Sequence, residues 1–99
     1  MTNAFSKNMT SSALVKIFIQ KSLEQDEADL RDEHTNWNHL YKQLELILLE
    51  LKQRPGDQRR QLMTLYSHEN SQVCVNAALA TLAIDPVQAR AALKWIAQF

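Results

Sequence analysis

The sequence predicts an all-α domain of about five helices, and three observations predict it. The 99 residues contain a single Gly, whereas an all-β chain needs turn glycines at regular intervals. Trp37, Leu40, Tyr41, Leu44, Ile47, Leu48 and Leu51 follow one another at spacings of 3, 1, 3, 3, 1 and 3, which makes one continuous apolar stripe on a helix. Arg54-Pro55-Gly56-Asp57 and Asp85-Pro86 punctuate the chain with helix stop and start signals.

The length accommodates one domain, 1–99, with the polar residues 1–10 as a flexible tail. The first helix starts near Thr10 or Ser11, either of which caps free N–H groups. It carries Leu14, Val15, Ile17 and Phe18 and runs to about Ala28. The second is the long striped helix. It ends at Arg54, because the residue before Pro is pushed out of helical geometry and Gly56 then permits the turn. No Gly or Pro separates these two helices between Ala28 and Asp32, so the pattern leaves open whether they are distinct. Asp57 caps a third helix carrying Leu62, Leu65 and Tyr66. Asn70 or Ser71 caps a fourth, with Val73, Ala77, Ala78, Thr81 and Leu82 on its buried face. Asp85-Pro86 opens a fifth, which buries Val87, Leu93 and Ile96 and runs to about Gln98. Tyr41 and Tyr66 fall at the core or its edge, with their hydroxyls toward water. Alanines along the last two helices permit close antiparallel packing.

Composition narrows the function classes. A hydrophobic fraction of 45% is too high for a disordered chain. The longest uninterrupted apolar run outside the N-terminal region, Leu46 to Leu49, is far below the ~20 residues that span a bilayer. No signal-peptide pattern opens the chain, and the single Cys74 excludes an internal disulfide framework. The expected location is therefore the cytoplasm, with Cys74 a free thiol.

No residue spacing defines a catalytic site, a cofactor or a metal centre. His34 and His39 lie about 140° apart on a helix and do not share a face. Cys74 and His68 could pair as nucleophile and base, but Cys74 falls within a helix, away from the basic surroundings that lower a thiol pKa. Trp37 belongs to the core stripe. Trp95 lies off the main apolar face of its helix and serves either as core edge or as an exposed contact of the kind that anchors interfaces.

Charge is more informative. Eleven bases balance eleven acids, yet they are separated along the chain. Glu24, Asp26, Glu27, Asp29, Asp32 and Glu33 face only Arg31 within their run, and Lys52, Arg54, Arg59 and Arg60 face only Asp57 within theirs. The acidic run steers a basic partner. The basic run offers a weaker nucleic-acid surface, without interleaved aromatics and at a sequence pI near 6.8.

The segment from Leu62 to Leu82, L-M-T-L-Y-S-H-E-N-S-Q-V-C-V-N-A-A-L-A-T-L, resembles a HEAT repeat: a helix ending in leucines, a polar turn, then V-x-x-x-A-A-x-x-x-L. HEAT repeats often carry a basic residue directly after that Val, where this chain has Cys74. The run from about Leu14 to Ile96 is similar to a family of small bacterial helical proteins of undefined function. Related small helical proteins act as immunity proteins against polymorphic toxins, including contact-dependent growth inhibition toxins. The resemblance implies HEAT-like antiparallel hairpins in a right-handed stack, no catalytic motif and no cofactor. With the charge pattern, it leads to the expectation of a non-catalytic protein that binds a basic, nuclease-type toxin domain and blocks its active site. Glu24, Asp26, Glu27, Asp29, Asp32 and Glu33 are its candidate interface, with Trp95 added. Small-molecule substrates and membranes are not expected partners. The alternatives are a helical scaffold or homo-oligomeric adaptor, and a weak nucleic-acid binder acting through Lys52–Arg60.

Overall fold

The computed structural model describes residues 8–98, so most of the tail expected over 1–10 lies outside the described residues. The chain forms α1 (Ser11–Leu30), α2 (His34–Gln53), a 3-10 helix (Gln58–Ser67), α3 (Ser71–Thr81) and α4 (Pro86–Ala97). No strand occurs among the described residues. Thr10 caps α1 by accepting from the Ala13 N–H at 3.0 Å, and Asn70 caps α3 by accepting from the Val73 N–H at 3.2 Å.

Two helices, not one, precede the Pro-Gly turn. The break between them is a Schellman closure without glycine. The Glu33 N–H bonds the Ala28 carbonyl at 2.8 Å and the Asp32 N–H bonds the Asp29 carbonyl at 3.1 Å. Asp32 itself takes the left-handed conformation, with φ 61°. Aspartate tolerates that region better than other non-glycine residues, which is how the chain turns where no Gly or Pro marks it. The second turn concentrates two left-handed residues, Gly56 at φ 79° and Asp57 at φ 51°. Asp57 then caps the 3-10 helix and holds Arg59 through two side-chain bonds, at 2.8 and 2.6 Å.

The third helix is 3-10 rather than α. Its residues eclipse every third position, which aligns Leu62 with Leu65, both buried, and Gln58 with Gln61 and Thr64. Gln61 Nε2 donates to Gln58 Oε1 at 2.8 Å, and Thr64 Oγ1 donates to the Gln61 carbonyl at 3.1 Å. These three-residue links favour the tighter winding over its ten-residue length.

α1 is the central element. It packs against α2, α3 and the 3-10 helix; Leu14, Phe18, Ser22, Gln25 and Ala28 form its buried face, partly polar, while Ser12, Lys16, Gln20 and Glu27 face water. Leu14, Phe18, Leu44, Ile47, Leu51, Leu62, Leu65, Val73 and Ala77 make the core. A polar seam runs beside it between α1 and α3: Asn76 Nδ2 donates to Ser22 Oγ and to Gln25 Oε1, each at 2.9 Å. At the other end of α1, the buried Glu50 accepts from Arg54 Nε at 2.9 Å, and Arg54 also donates to Ser11 Oγ at 3.1 Å.

α4 differs most from expectation. It contacts α3 and the 3-10 helix but buries Ala89 rather than Val87, which is 75% exposed; Leu93 and Ile96 are only half-buried. Leu82, the residue after α3, is likewise half-buried, while Cys74 joins the buried face of α3. Asp85 precedes Pro86 as predicted, but its carboxylate makes no cap to the helix backbone. It accepts instead from the Tyr66 hydroxyl at 3.1 Å. That hydroxyl also hydrogen-bonds Thr81 Oγ1 at 2.6 Å, so Tyr66 turns its polar end inward, contrary to expectation. The domain measures 38 × 33 × 18 Å. Its short axis is less than two helix diameters, so most helices keep one face in water.

Candidate protein-binding surface

The acidic run occupies the end of α1 and the turn into α2, and the structure divides its six carboxylates. Glu24 and Asp26 are half-buried. Glu24 lies 3.7 Å from Lys21 Nζ, and Asp26 accepts from Asn70 Nδ2 at 3.1 Å. Asp32 is exposed but pairs with His34 Nε2 at 2.8 Å. Glu27, Asp29 and Glu33 are exposed and make no side-chain bond among the described residues. Between them stands Leu30, 80% exposed. This apolar side chain, in a mostly acidic stretch that also exposes Arg31, escapes a reading by charge alone. Its signal in the sequence is position: it falls two residues past Ala28, the last buried residue of α1, within the turn that closes the helix.

The Asp26–Asn70 bond fastens this end of α1 to the turn between the 3-10 helix and α3. Glu69 in that turn is exposed, so an acid outside the predicted run joins the same end of the molecule. The turn also borders a recess of about 280 Å3 walled by Tyr66, His68, Glu69, Ser71, Cys74 and Trp95. Trp95 is 61% exposed. Of its two sequence readings the structure takes the exposed one, on a surface connected to the acidic run. Within the recess the Cys74 thiol donates to the His68 carbonyl at 2.9 Å. The His68 ring bonds elsewhere, its Nδ1 accepting from the Asn70 N–H at 3.0 Å. Burial is the main cause that pushes the Cys74 thiol pKa above its ordinary value. The pair therefore lacks the geometry and the acidified thiol of a nucleophile and its base.

The basic run is largely engaged within the chain. Arg54 is held by Glu50, Arg59 by Asp57, and Arg60 donates to the Gly56 carbonyl at 3.2 Å. Arg59 and Asp57 stabilise each other's charged forms: their mutual hydrogen bond is the largest cause lowering the Asp57 pKa and raising that of Arg59. His34 and His39 line a wide, open depression with Asp32 and Glu33, but no group of three or more His, Cys, Asp or Glu side chains poised for a metal occurs among the described residues. No helix of the described residues is long and apolar enough to cross a membrane.

A second feature was not legible from charge. Phe18 floors an apolar groove of about 190 Å3 between α2 and α3, lined by Tyr41, Leu44, Leu48, Leu79 and Ala80. Tyr41, predicted at the core edge, is 49% exposed there and stacks on the half-buried Trp37 at 5.7 Å between ring centroids. The long stripe of α2 therefore faces the core with Leu40, Leu44, Ile47 and Leu51 and leaves its Trp37–Tyr41 edge outside.

These features define an all-α domain of stacked antiparallel helices whose turns gather carboxylates at one end. The chain belongs to the family described as a domain of unknown function, DUF2019, which matches residues 12–99. It is similar to the crystal structure of the protein RPA1889 from Rhodopseudomonas palustris CGA009, with a TM-score of 0.86 and 41% sequence identity over 88% of this chain and 72% of that one. No curated protein matches it significantly.

Proposed function

We propose that this chain is a non-catalytic protein-binding domain of the cytoplasm. In its sharpest form, it is an immunity protein that covers the active site of a basic, nuclease-type toxin domain. The observation that carries this reading is the exposure, at one end of α1, of Glu27, Asp29 and Glu33 without side-chain bonds among the described residues, together with Leu30. Unpaired like charges repel, and the surface gains most when cations approach it. Nuclease sites are basic because they bind phosphate, so an acidic end with an apolar centre complements one in both charge and burial. Glu24, Asp26 and Asp32 support the field but also hold the fold together, so they belong to the interface less directly than the other three.

The test uses the full chain as bait and the triple variant Glu27→Lys, Asp29→Lys, Glu33→Lys as its control. Asp32 is left intact because its left-handed backbone would penalise lysine. A basic partner recovered by wild type should associate about 10- to 100-fold more slowly with the variant. Restored growth of cells expressing that partner's toxic domain would support the immunity role, and equal association rates would remove the acidic face from the account. A scaffold or self-associating role is the second reading, favoured by the Phe18 groove; a concentration-dependent dimer would support it. Nucleic-acid binding is the weakest, since Arg54 and Arg59 are committed to internal ion pairs.

A further inference from the structure

We infer that the recess between the 3-10/α3 turn and the end of α4 receives an arginine side chain of the basic partner; this rests on the protein-binding reading and assigns one subsite within it. The recess holds about 280 Å3, room for a single long side chain with its terminal group. Trp95, 61% exposed, supplies an aromatic wall, and Glu69, exposed with no partner among the described residues, supplies a carboxylate. Two other polar walls are already occupied: the Cys74 thiol by the His68 carbonyl, and His68 Nδ1 by the Asn70 N–H. Glu69 is therefore the ionic group this recess offers a ligand.

An indole and a carboxylate lining one small cavity select a cation that is flat. A guanidinium stacks on the ring and still directs a fork of N–H donors at the carboxylate. A lysine ammonium satisfies the charge without the stacking plane, and an anion meets Glu69 unfavourably. The location agrees with the chemistry. The Asp26–Asn70 bond ties the recess to the acidic end of α1, so a basic segment drawn to Glu27, Asp29 and Glu33 arrives beside the recess.

The experiment is an NMR titration of the full chain with a hexa-arginine peptide, following the backbone amides and the two indole N–H signals. Trp95 is assigned by its loss in Trp95→Leu. The expected result is a saturable shift of the Trp95 indole together with the amides of Glu27–Glu33. Hexalysine should shift the indole less at equal occupancy of the acidic end, and Glu69→Gln should weaken the indole response about threefold. Amide shifts at Glu27–Glu33 with an unmoved Trp95 indole would overturn the subsite and leave the acidic docking face standing. Equal indole responses to arginine and lysine peptides would overturn the guanidinium assignment. No shift at either place would overturn the subsite and count against the acidic face as well.

Discussion

Replacing Asn76 with Ala should cost this domain far more than one half-buried polar residue ordinarily does. Its Nδ2 bonds Ser22 Oγ and Gln25 Oε1, each at 2.9 Å, and its Oδ1 accepts from Gln72 Nε2 at 2.9 Å. Ser22 is 0% exposed and Gln25 1%. Truncation removes both donors and strands two acceptors where water does not reach from the α1 side. A buried group left without its partner costs about 1–3 kcal/mol. The Ser22 hydroxyl can rotate toward a backbone carbonyl, so Gln25 bears most of the penalty and the sum is about 2–3 kcal/mol. In a domain of this size that lowers Tm by roughly 10–20 °C. Gln72→Ala, which removes only the outer link, should cost under about 1 kcal/mol. Urea denaturation at 25 °C measures both, with m unchanged if the unfolded state is unaffected. Adding Ser22→Ala and Gln25→Leu to Asn76→Ala should restore part of the loss, because no polar group then remains stranded. If Asn76→Ala unfolds within about 0.5 kcal/mol of wild type, the seam does not hold α3 to α1.

Four further outcomes follow from other contacts of the fold. Tyr66→Phe, which removes the hydroxyl shared by Thr81 and Asp85, should destabilise by about 1–2 kcal/mol in urea denaturation. Burial is the main cause that raises the Tyr66 pKa, the Asp85 carboxylate adds to it and the Thr81 bond opposes it. The folded state thus favours the protonated phenol, and this contribution is complete below the unfolded pKa and lost as pH rises through the folded one. A spectroscopic titration should show one tyrosine ionising later than free tyrosine. Asp57 has the opposite sign: with its folded pKa lowered chiefly by Arg59, its contribution is present above the ordinary aspartate pKa and fades as pH falls through the folded value. The acid limb of stability should therefore flatten in Asp57→Asn. Cys74, buried and hydrogen-bonded, should react with a thiol reagent far more slowly in the native protein than in urea, with full labelling only after unfolding.

The chain order of five helices was legible because α2 packs on one side and so keeps a clean stripe, and because Asp57 and Asp85-Pro86 mark their turns. α1 was less legible, since its buried face includes the polar Ser22 and Gln25, which interrupt the apolar stripe. The break after it was hidden because aspartate, not glycine, takes the left-handed position. The 3-10 winding lay in the three-residue spacing of Gln58, Gln61 and Thr64, which an α-helical reading passes over. The acidic end was visible as a charge run. Which of its carboxylates stay unpaired was not, because the bonds of Glu24, Asp26 and Asp32 depend on Lys21, Asn70 and His34 meeting them in space. Likewise Glu69 and Trp95 lie 26 residues apart in the sequence, and only the packing of α4 brings both to one recess.

The measurement that bears most directly on the proposed function is the salt dependence of association between the full chain and the proposed basic partner, for wild type and for Glu27→Lys, Asp29→Lys, Glu33→Lys. Exposed charges steer over about one Debye length, ~8 Å at physiological ionic strength. The wild-type on-rate should therefore fall steeply as salt rises, while the variant associates slowly and with a flattened or inverted slope. Two superimposable salt profiles with equal affinities would contradict an account in which the acidic end of α1 meets a basic partner.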